Sequence, residues 1–203
     1  MKRFYFLLIV LFLTGCSSEI KEIETRIENR LAKTNTNASF FQLKRDAYYI
    51  YQWNKDETFR DEINEFKRLD KENFPEKGKI LFTGSSSIRF WDSLEEDMEP
   101  LEVLNRGFGG AQISHVIHHF EDIVKPYNPK AIVFFCGTND LTALKTPEET
   151  VHDFKKFLSL VRNEFGNIKV YVIGIKPTLD RLYLDKEERI FNNLISSLTS
   201  NDA

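Results

Sequence analysis

The sequence is short of the residues that mark several protein classes. It has only 2 cysteines, 6 prolines and 9 glycines among 203 residues. Two cysteines cannot build a disulfide scaffold, and so little glycine and proline excludes a collagen-like or low-complexity chain. Neither sign of charge dominates: the net charge is −3, so we expect no general affinity for nucleic acid. Hydrophobic residues make up 41% of the sequence, and the chain is long enough for one domain with a core.

Long apolar runs are also scarce, and the clearest one stands at the start of the chain. Two basic residues precede about ten apolar residues, 4–13, too few to span a membrane and typical of a signal peptide. Leu-Thr-Gly-Cys follows at residues 13–16 and resembles a bacterial lipobox, which implies cleavage before Cys16 and lipidation of its thiol. The alternative is an ordinary signal peptide, residues 1–15, with a chance cysteine. The resemblance to a lipobox predicts a lipid-anchored protein of the bacterial cell envelope. By resemblance to enterobacterial lipoproteins, Ser17 after the cysteine, with no aspartate there, favours the outer membrane.

The segment between this leader and the main domain predicts helices. Residues 16–39 combine isoleucines at helical spacing with a polar stretch, 34–39, and predict a lipid-anchored tether and linker. Residues 40–78 predict two N-terminal helices. The first of these carries six aromatic residues, which we expect to pack on the following domain. A carbohydrate-binding platform is the alternative.

From residue 79 onward, short apolar segments alternate with helical patterns. One helix begins at Pro147 after Thr146, and another begins at Asp185, where Glu188 completes a predicted capping box. Cys136 follows an apolar run and is expected to be a buried hydrophobe. Apolar strands separated by helices predict an α/β fold with a parallel sheet covered on both faces. The predicted strands are residues 80–83, 101–104, 131–135 and 169–175.

Three of these strands end in unusual loops. The loops are Gly-Ser-Ser-Ser at 84–87, Asn-Arg-Gly-Phe-Gly-Gly at 105–110 and Gly-Thr-Asn-Asp at 137–140. Sites form at the carboxyl ends of parallel strands. The phosphate-loop pattern is absent, and Gln112 stands where a dinucleotide fingerprint needs its third glycine. Acyl transfer fits better: a serine on a strand-to-helix turn is an exposed nucleophile, and glycine N–H and asparagine amide groups can stabilise an oxyanion.

Together, the three loops and the Ile-Arg-Phe-Trp at 88–91 resemble the SGNH hydrolases, the GDSL-type lipase and esterase superfamily. The match is to the branch whose first block reads Gly-Ser-Ser-Ser-Ile-Arg-x-Trp. The resemblance implies a flavodoxin-like three-layer α/β/α sandwich that hydrolyses esters through an acyl-enzyme. It implies Ser86 as the nucleophile, with Ser87 the competing candidate, and Gly110 and Asn139 as the oxyanion hole. It implies no metal or other cofactor, and a small-molecule or carbohydrate ester as substrate.

One block of that superfamily is missing from the sequence. Its general base comes from an Asp-x-x-His block near the C-terminus, and none of the four histidines follows an aspartate at that spacing. We therefore expect the SGNH-like domain, residues 79–203, to be incomplete before its last strand and impaired in catalysis, since a serine without a base is a weak nucleophile. Strand 169–175 would then be an open apolar edge. The alternatives are a base among the histidines present and a non-catalytic envelope-binding lipoprotein. The histidines are His115, His118, His119 and His152.

Overall fold

The computed structural model describes residues 18–200, which divide into two compact units, one ending at Thr58 and the other beginning at Phe59. The predicted signal peptide and Cys16 lie outside the described residues. Within 18–200, every helix is too short or too polar to cross a membrane.

The first unit contains two helices, α1 (Ser18–Lys33) and α2 (Phe40–Trp53). Their packing buries Ile23 and Ile27 of α1, and the Lys44 ammonium of α2 binds the Glu24 carboxylate of α1 at 2.7 Å. The polar residues 34–39 connect the helices, as their composition predicts. Ser39 caps α2, because its hydroxyl accepts a hydrogen bond from the Gln42 N–H. Four of the six aromatic residues in α2 are exposed: Phe40, Phe41, Tyr48 and Tyr49.

The second unit is built on a four-stranded sheet in which every neighbouring pair is parallel. The strand order is β2-β1-β3-β4, so β1 lies in the interior and its carboxyl end is flanked by those of β2 and β3. This confirms the predicted α/β class with a parallel sheet flanked by helices. The strands are β1 (Ile80–Gly84), β2 (Val103–Gly107), β3 (Ala131–Phe135) and β4 (Lys169–Val172).

Helices connect these strands. Short 3₁₀ turns occur at Asp56–Phe59, Lys125–Tyr127 and Leu179–Leu184. The α-helices are α3 (Arg60–Glu72), α4 (Ser86–Arg89), α5 (Leu94–Asp97), α6 (Ile113–His118), α7 (Phe120–Ile123), α8 (Thr138–Thr142), α9 (Pro147–Phe165) and α10 (Asp185–Ser200).

The two faces of the sheet are covered by different helices. Phe134 of β3 points to the face on which α9 lies, and its ring stacks on Phe157 with centroids 4.5 Å apart. Arg106 of β2 is level with Phe134 in the register and binds Asp70 of α3 on that same face. Phe82 of β1 points the other way and packs against Trp91, which follows α4.

Two strands differ from their predicted bounds, each for a local reason. β2 is displaced toward the C-terminus and includes Arg106, whose guanidinium is satisfied by Asp70 and by the Tyr127 hydroxyl. β4 is shorter than predicted, because the Asn192 side chain binds both the N–H and the carbonyl of Ile175, at 3.0 and 2.7 Å. These two bonds replace strand pairing for Ile175.

The helix boundaries follow the sequence in one case and depart from it in another. α9 begins at Pro147, as predicted, and the structure adds a capping box between Thr146 and Glu149. The capping box predicted for Asp185 and Glu188 is wrong. Asp185 is already helical because a 3₁₀ turn leads directly into α10, and its carboxylate pairs with Arg189 one turn later.

Candidate active site

Ser86 stands at the carboxyl end of the interior strand β1. Gly84 makes the turn with φ of +126°, and a Cβ at that position would lie 2.0 Å from the Phe135 carbonyl oxygen of β3. Only glycine fits such a turn, after which Ser86 opens α4. Ser86 is half-buried, whereas Ser85 is buried and Ser87 is exposed. Within residues 18–200, no side chain forms a hydrogen bond with the Ser86 hydroxyl.

The carboxyl end of β2, which leads into the Gly110 loop, lies directly against α4. The Asn105 side chain donates to the Ile88 carbonyl at 2.7 Å and accepts from the Gly107 N–H at 2.9 Å. A Cβ on Gly107 would lie 2.6 Å from the Arg89 nitrogen, so this close approach requires glycine. Gly110, the expected oxyanion donor, follows in the same loop with φ of +74° and is half-buried. The loop is therefore packed against the short helix that Ser86 begins.

Asn139 reaches toward that loop from the end of β3. Gly137 turns the chain with φ of +132°, and Asn139 lies in α8, 5% exposed. Its amide nitrogen donates to the Ala111 carbonyl at 2.9 Å, one residue after Gly110. Because an amide nitrogen carries two N–H groups, this bond fixes the side chain and leaves its second N–H for another acceptor.

The structure thus brings Gly110 and Asn139 into one neighbourhood, and Ser86 lies at the end of the adjoining strand β1. Asn139 is bonded to the residue that follows Gly110, and Phe108 of the same loop donates to the Gly84 carbonyl at 3.1 Å, two residues before Ser86. Attack on a carbonyl carbon followed by stabilisation of the oxyanion requires a hydroxyl and N–H donors in one neighbourhood, and these residues can supply both. One such donor contributes roughly 2.7–4 kcal/mol to the transition state of a hydrolase.

A buried ionic cluster lies behind these residues, and the sequence motifs alone do not indicate it. Both oxygens of Asp140 accept from the Ile113 N–H at 3.2 Å, and Lys145 binds one of them at 2.9 Å. Lys145 also binds Asp153 of α9 at 2.9 Å. Burial raises the pKa of the Asp140 carboxyl, although Lys145 and the Ile113 N–H act in the opposite direction. Burial would lower the pKa of Lys145, but the two carboxylates together raise it, so the ammonium stays charged.

Cys136 is buried behind the same loop, as the sequence predicts. Its thiol donates to the Ala111 carbonyl at 3.2 Å, the oxygen that Asn139 also binds. Burial and the nearby Asp140 carboxylate raise the pKa of the thiol well above its ordinary value. A neutral buried thiol is a packing group and a weak donor.

The histidines occupy α6, the residue after it, and α9. His115 is fully buried, its Nδ1 accepts from the Gln112 N–H at 3.1 Å, and its ring packs on Phe59 with centroids 4.8 Å apart. His119 packs near Phe108, and His118 and His152 are exposed. In the described part of the chain, no histidine forms a hydrogen bond with the Ser86 hydroxyl. In that part no group of three or more His, Cys, Asp or Glu residues could hold a metal ion.

A groove of ≈ 550 Å³ runs beside the carboxyl end of β2. Arg89 and Gly107 line it close to the predicted site, and Trp91 and Phe66 contribute aromatic surface. Five carboxylates complete its polar lining: Glu62, Glu65, Asp92, Glu95 and Glu96. Arg89 lies one helical turn after Ser86, about 5 Å along the axis of α4, and Ser86 itself is not among the residues that line the groove.

Comparison with known proteins gives the family of the chain and supports its fold. Residues 82–201 match the model of the GDSL-like Lipase/Acylhydrolase family. A candidate platelet activating factor from Streptococcus pneumonia has a similar structure, with a TM-score of 0.63 and 16% identity over 81% of this chain and 78% of that one. So does a candidate acylhydrolase from Bacteroides fragilis NCTC 9343, with a TM-score of 0.54 and 17% identity over 66% and 68%. The acetyl xylan esterase AlAXEase gives 0.52 and 21% over 61% and 73%. A search of the curated proteins found no match.

Proposed function

Because the chain belongs to the GDSL-like lipase/acylhydrolase family, we propose that it is a serine ester hydrolase in which Ser86 is the nucleophile. The Ser86 hydroxyl attacks the ester carbonyl, and the alcohol leaves with a proton. The acyl-enzyme is then hydrolysed by water. The Gly110 N–H and the second Asn139 N–H stabilise the oxyanion in both steps. The observation that carries the proposal is the Asn139–Ala111 hydrogen bond, which ties the two predicted oxyanion donors to one loop beside Ser86.

The proposed substrate is a small acyl ester, foremost the acetyl ester of a carbohydrate. The groove beside Arg89 supports this choice, because the Trp91 ring and a belt of carboxylates suit a polyhydroxylated alcohol better than an alkyl chain. The similarity in fold to an acetyl xylan esterase makes acetylated xylan the first polymer to test.

We further propose that the 203-residue chain by itself reacts slowly. Ser86 has no side-chain hydrogen-bond partner within residues 18–200, and no Asp-x-x-His block occurs in the sequence. An intact oxyanion hole without the base retains roughly 10³-fold catalysis over water, against losses on the order of 10⁴–10⁶ from a complete triad.

The test is covalent labelling of Ser86 by a fluorophosphonate, with hydrolysis of p-nitrophenyl acetate as a second measurement. We expect slow, saturable labelling that Ser86→Ala abolishes and Ser87→Ala leaves within about twofold, because Ser87 is exposed outside the turn. Equal labelling of the wild type and Ser86→Ala would refute Ser86 as the nucleophile. The second candidate is a non-catalytic envelope-binding protein, which is supported by the lack of a side-chain partner for the Ser86 hydroxyl within residues 18–200. No labelling, combined with saturable binding of a carbohydrate, would favour this second candidate.

We propose that lipid on Cys16 anchors the protein to the bacterial outer membrane. The support is the sequence at residues 13–16, directly after the apolar run. In cells fed an alkyne palmitate, we expect label on the wild type and none on Cys16→Ala, which should also leave the membrane fraction. The control is Cys136→Ala, because that thiol is buried and should not affect labelling. Label retained on Cys16→Ala would contradict the anchor.

A further inference from the structure

The loop that carries Gly110 is fastened at two points from the end of β3. Asn139 and Cys136 both donate to the Ala111 carbonyl, at 2.9 and 3.2 Å. Asp140 accepts from the Ile113 N–H at 3.2 Å through each of its oxygens. Consecutive residues of α8 therefore hold the carbonyl of residue 111 and the N–H of residue 113, the segment directly after Gly110.

Asp140 can hold the loop only if its own position is fixed, and Lys145 fixes it. The Lys145 ammonium contacts three acceptors on three elements: Asp140 at 2.9 Å, Asp153 of α9 at 2.9 Å and the Ser114 hydroxyl of α6 at 3.4 Å. An ammonium has three N–H donors, so this arrangement uses its full capacity. Asp140 is fully buried and Asp153 is largely so, which shields the ion pairs from water.

The residue before Lys145 has a strained backbone conformation, and that conformation brings Lys145 back to Asp140. Leu144 has φ of +75°, an unusual conformation for a residue with a branched side chain, and it is buried. The turn returns the chain so that the Lys145 N–H donates to the Asp140 carbonyl at 3.0 Å while its side chain reaches the Asp140 carboxylate. Such strain persists only where the surrounding contacts over-determine it.

We propose that Lys145 is a positioning residue for the oxyanion hole. By holding Asp140 between α6 and α9, it keeps the Gly110 loop at the distance from Asn139 that lets both donors reach one oxygen. The inference rests on the proposed function for its catalytic consequence. It concerns the orientation of donors, since Lys145 itself touches no reacting atom.

The experiment compares Lys145→Met, which keeps the chain length and removes the charge, with Lys156→Met. Lys156 is the matched control, because it also binds Asp153, at 3.0 Å, but is exposed and makes no contact with Asp140. The fluorophosphonate places its P=O oxygen in the oxyanion hole. We expect the rate at which the fluorophosphonate reacts with Ser86 to fall about tenfold or more in Lys145→Met. The rate should stay within about twofold of the wild type in Lys156→Met. Lys145→Arg, which keeps the charge, should restore part of the rate.

A second measurement separates positioning from general stability and from the proposed function. Amide hydrogen exchange of Gly110 and Ile113 should accelerate in Lys145→Met at temperatures well below unfolding, while amides in β1 exchange as in the wild type. If the wild type is never labelled, the proposed function fails, but faster exchange at these two amides still supports the positioning role. Unchanged exchange in a folded Lys145→Met would overturn it. If Lys145→Met does not fold, Asp153→Asn, which weakens the hold on Lys145, should give a smaller change at the same two amides, and its absence would overturn the inference equally.

Discussion

The second unit contains two buried carboxyl groups, Asp140 and Glu188, that differ in their hydrogen-bond partners. Asp140, beside the candidate site, binds the Ile113 N–H and the Lys145 ammonium. Glu188 lies on α10, which packs against α9, and it is also fully buried, yet neither oxygen has a hydrogen-bond partner among the described residues. Burial raises the pKa of both carboxyls. At Asp140 this effect is opposed by the hydrogen-bonded Lys145 ammonium and the Ile113 N–H, whereas at Glu188 it is opposed only by the charge of Arg181.

The same contrast extends to packing. The strands β1 and β3 bury almost every side chain, and Phe134 lies at the centre of an aromatic cluster. β4 alternates between exposed and half-buried residues, with Tyr171 at 53% and Ile173 just beyond the strand at 37% exposure. Within the described residues β4 is the outermost strand on its side, which agrees with the apolar edge expected from the sequence. The region that orients polar groups for the site is thus also the region with the densest packing.

The largest predicted effect comes from Gly84→Ala, which acts on the inner region. The new Cβ would lie 2.0 Å from the Phe135 carbonyl oxygen, at a φ of +126° that alanine rarely adopts. Since the obstacle is backbone, relief requires β1 and β3 to separate. We expect a loss of more than about 4 kcal/mol in the free energy of unfolding, or no folded protein, measured by chemical denaturation.

Gly78→Ala is the matched control for that change. Gly78 also has a positive φ, +82°, but a Cβ there meets nothing within 4 Å. Only the backbone strain remains, and we expect a loss of about 1 kcal/mol. Equal losses in the two variants would show that the close approach of β1 to β3 is not what requires glycine at residue 84.

A smaller effect is predicted for side-chain truncation, and it compares the inner and outer strands directly. Phe134→Ala removes a fully buried ring that contacts Phe154 and Phe157, so we expect a loss of about 3–5 kcal/mol. Tyr171→Ala removes a ring that is half exposed on β4, and we expect about 0.5 kcal/mol. Both are measured by urea denaturation. A loss for Tyr171→Ala approaching that for Phe134→Ala would mean that the outer strand is packed as densely as the inner one.

The strands and the site loops could largely be predicted from the sequence, because each depends on local pattern. β3 occupies the predicted residues 131–135, an unbroken apolar run. The carboxyl end of β2 could not be predicted, since Arg106 becomes a strand residue only through Asp70 and Tyr127, 36 and 21 residues away in the chain.

The motifs of the candidate site could be predicted from the sequence, but the contacts that hold its loops in place could not. Ser86, Gly110 and Asn139 stand in recognisable loops, whereas nothing in the pattern around Lys145 indicates that its ammonium reaches Asp140, Asp153 and Ser114. Those contacts arise from the arrangement of three helices. The one available signal is the aspartate that directly follows Asn139 in the third loop. The capping box at Asp185 failed for the opposite reason: the local pattern was present, but the preceding 3₁₀ turn made Asp185 helical.

The smallest predicted effect concerns Glu188 and depends on pH. Because burial raises its pKa in the folded protein, the folded state holds the proton more tightly than the unfolded state does. Below the unfolded pKa both states are protonated and the residue contributes nothing. As the pH rises through the folded pKa, the buried negative charge destabilises the folded state, and this cost is complete above that value. Glu188→Gln removes the charge, so it should stabilise the protein at neutral pH by roughly 1 kcal/mol, or about 2–4 °C in Tm.

The measurement is the difference in Tm between Glu188→Gln and the wild type from pH 3 to pH 8, with Glu187→Gln as control. Glu187 lies next in the helix but is half-buried, so we expect a smaller gain in Tm from its substitution at neutral pH. A gain for Glu188→Gln that grows with pH and then levels off would establish that the buried Glu188 carboxylate destabilises the folded protein. A destabilisation at neutral pH would mean that the carboxylate is satisfied after all, and that the contrast with Asp140 lies in packing alone.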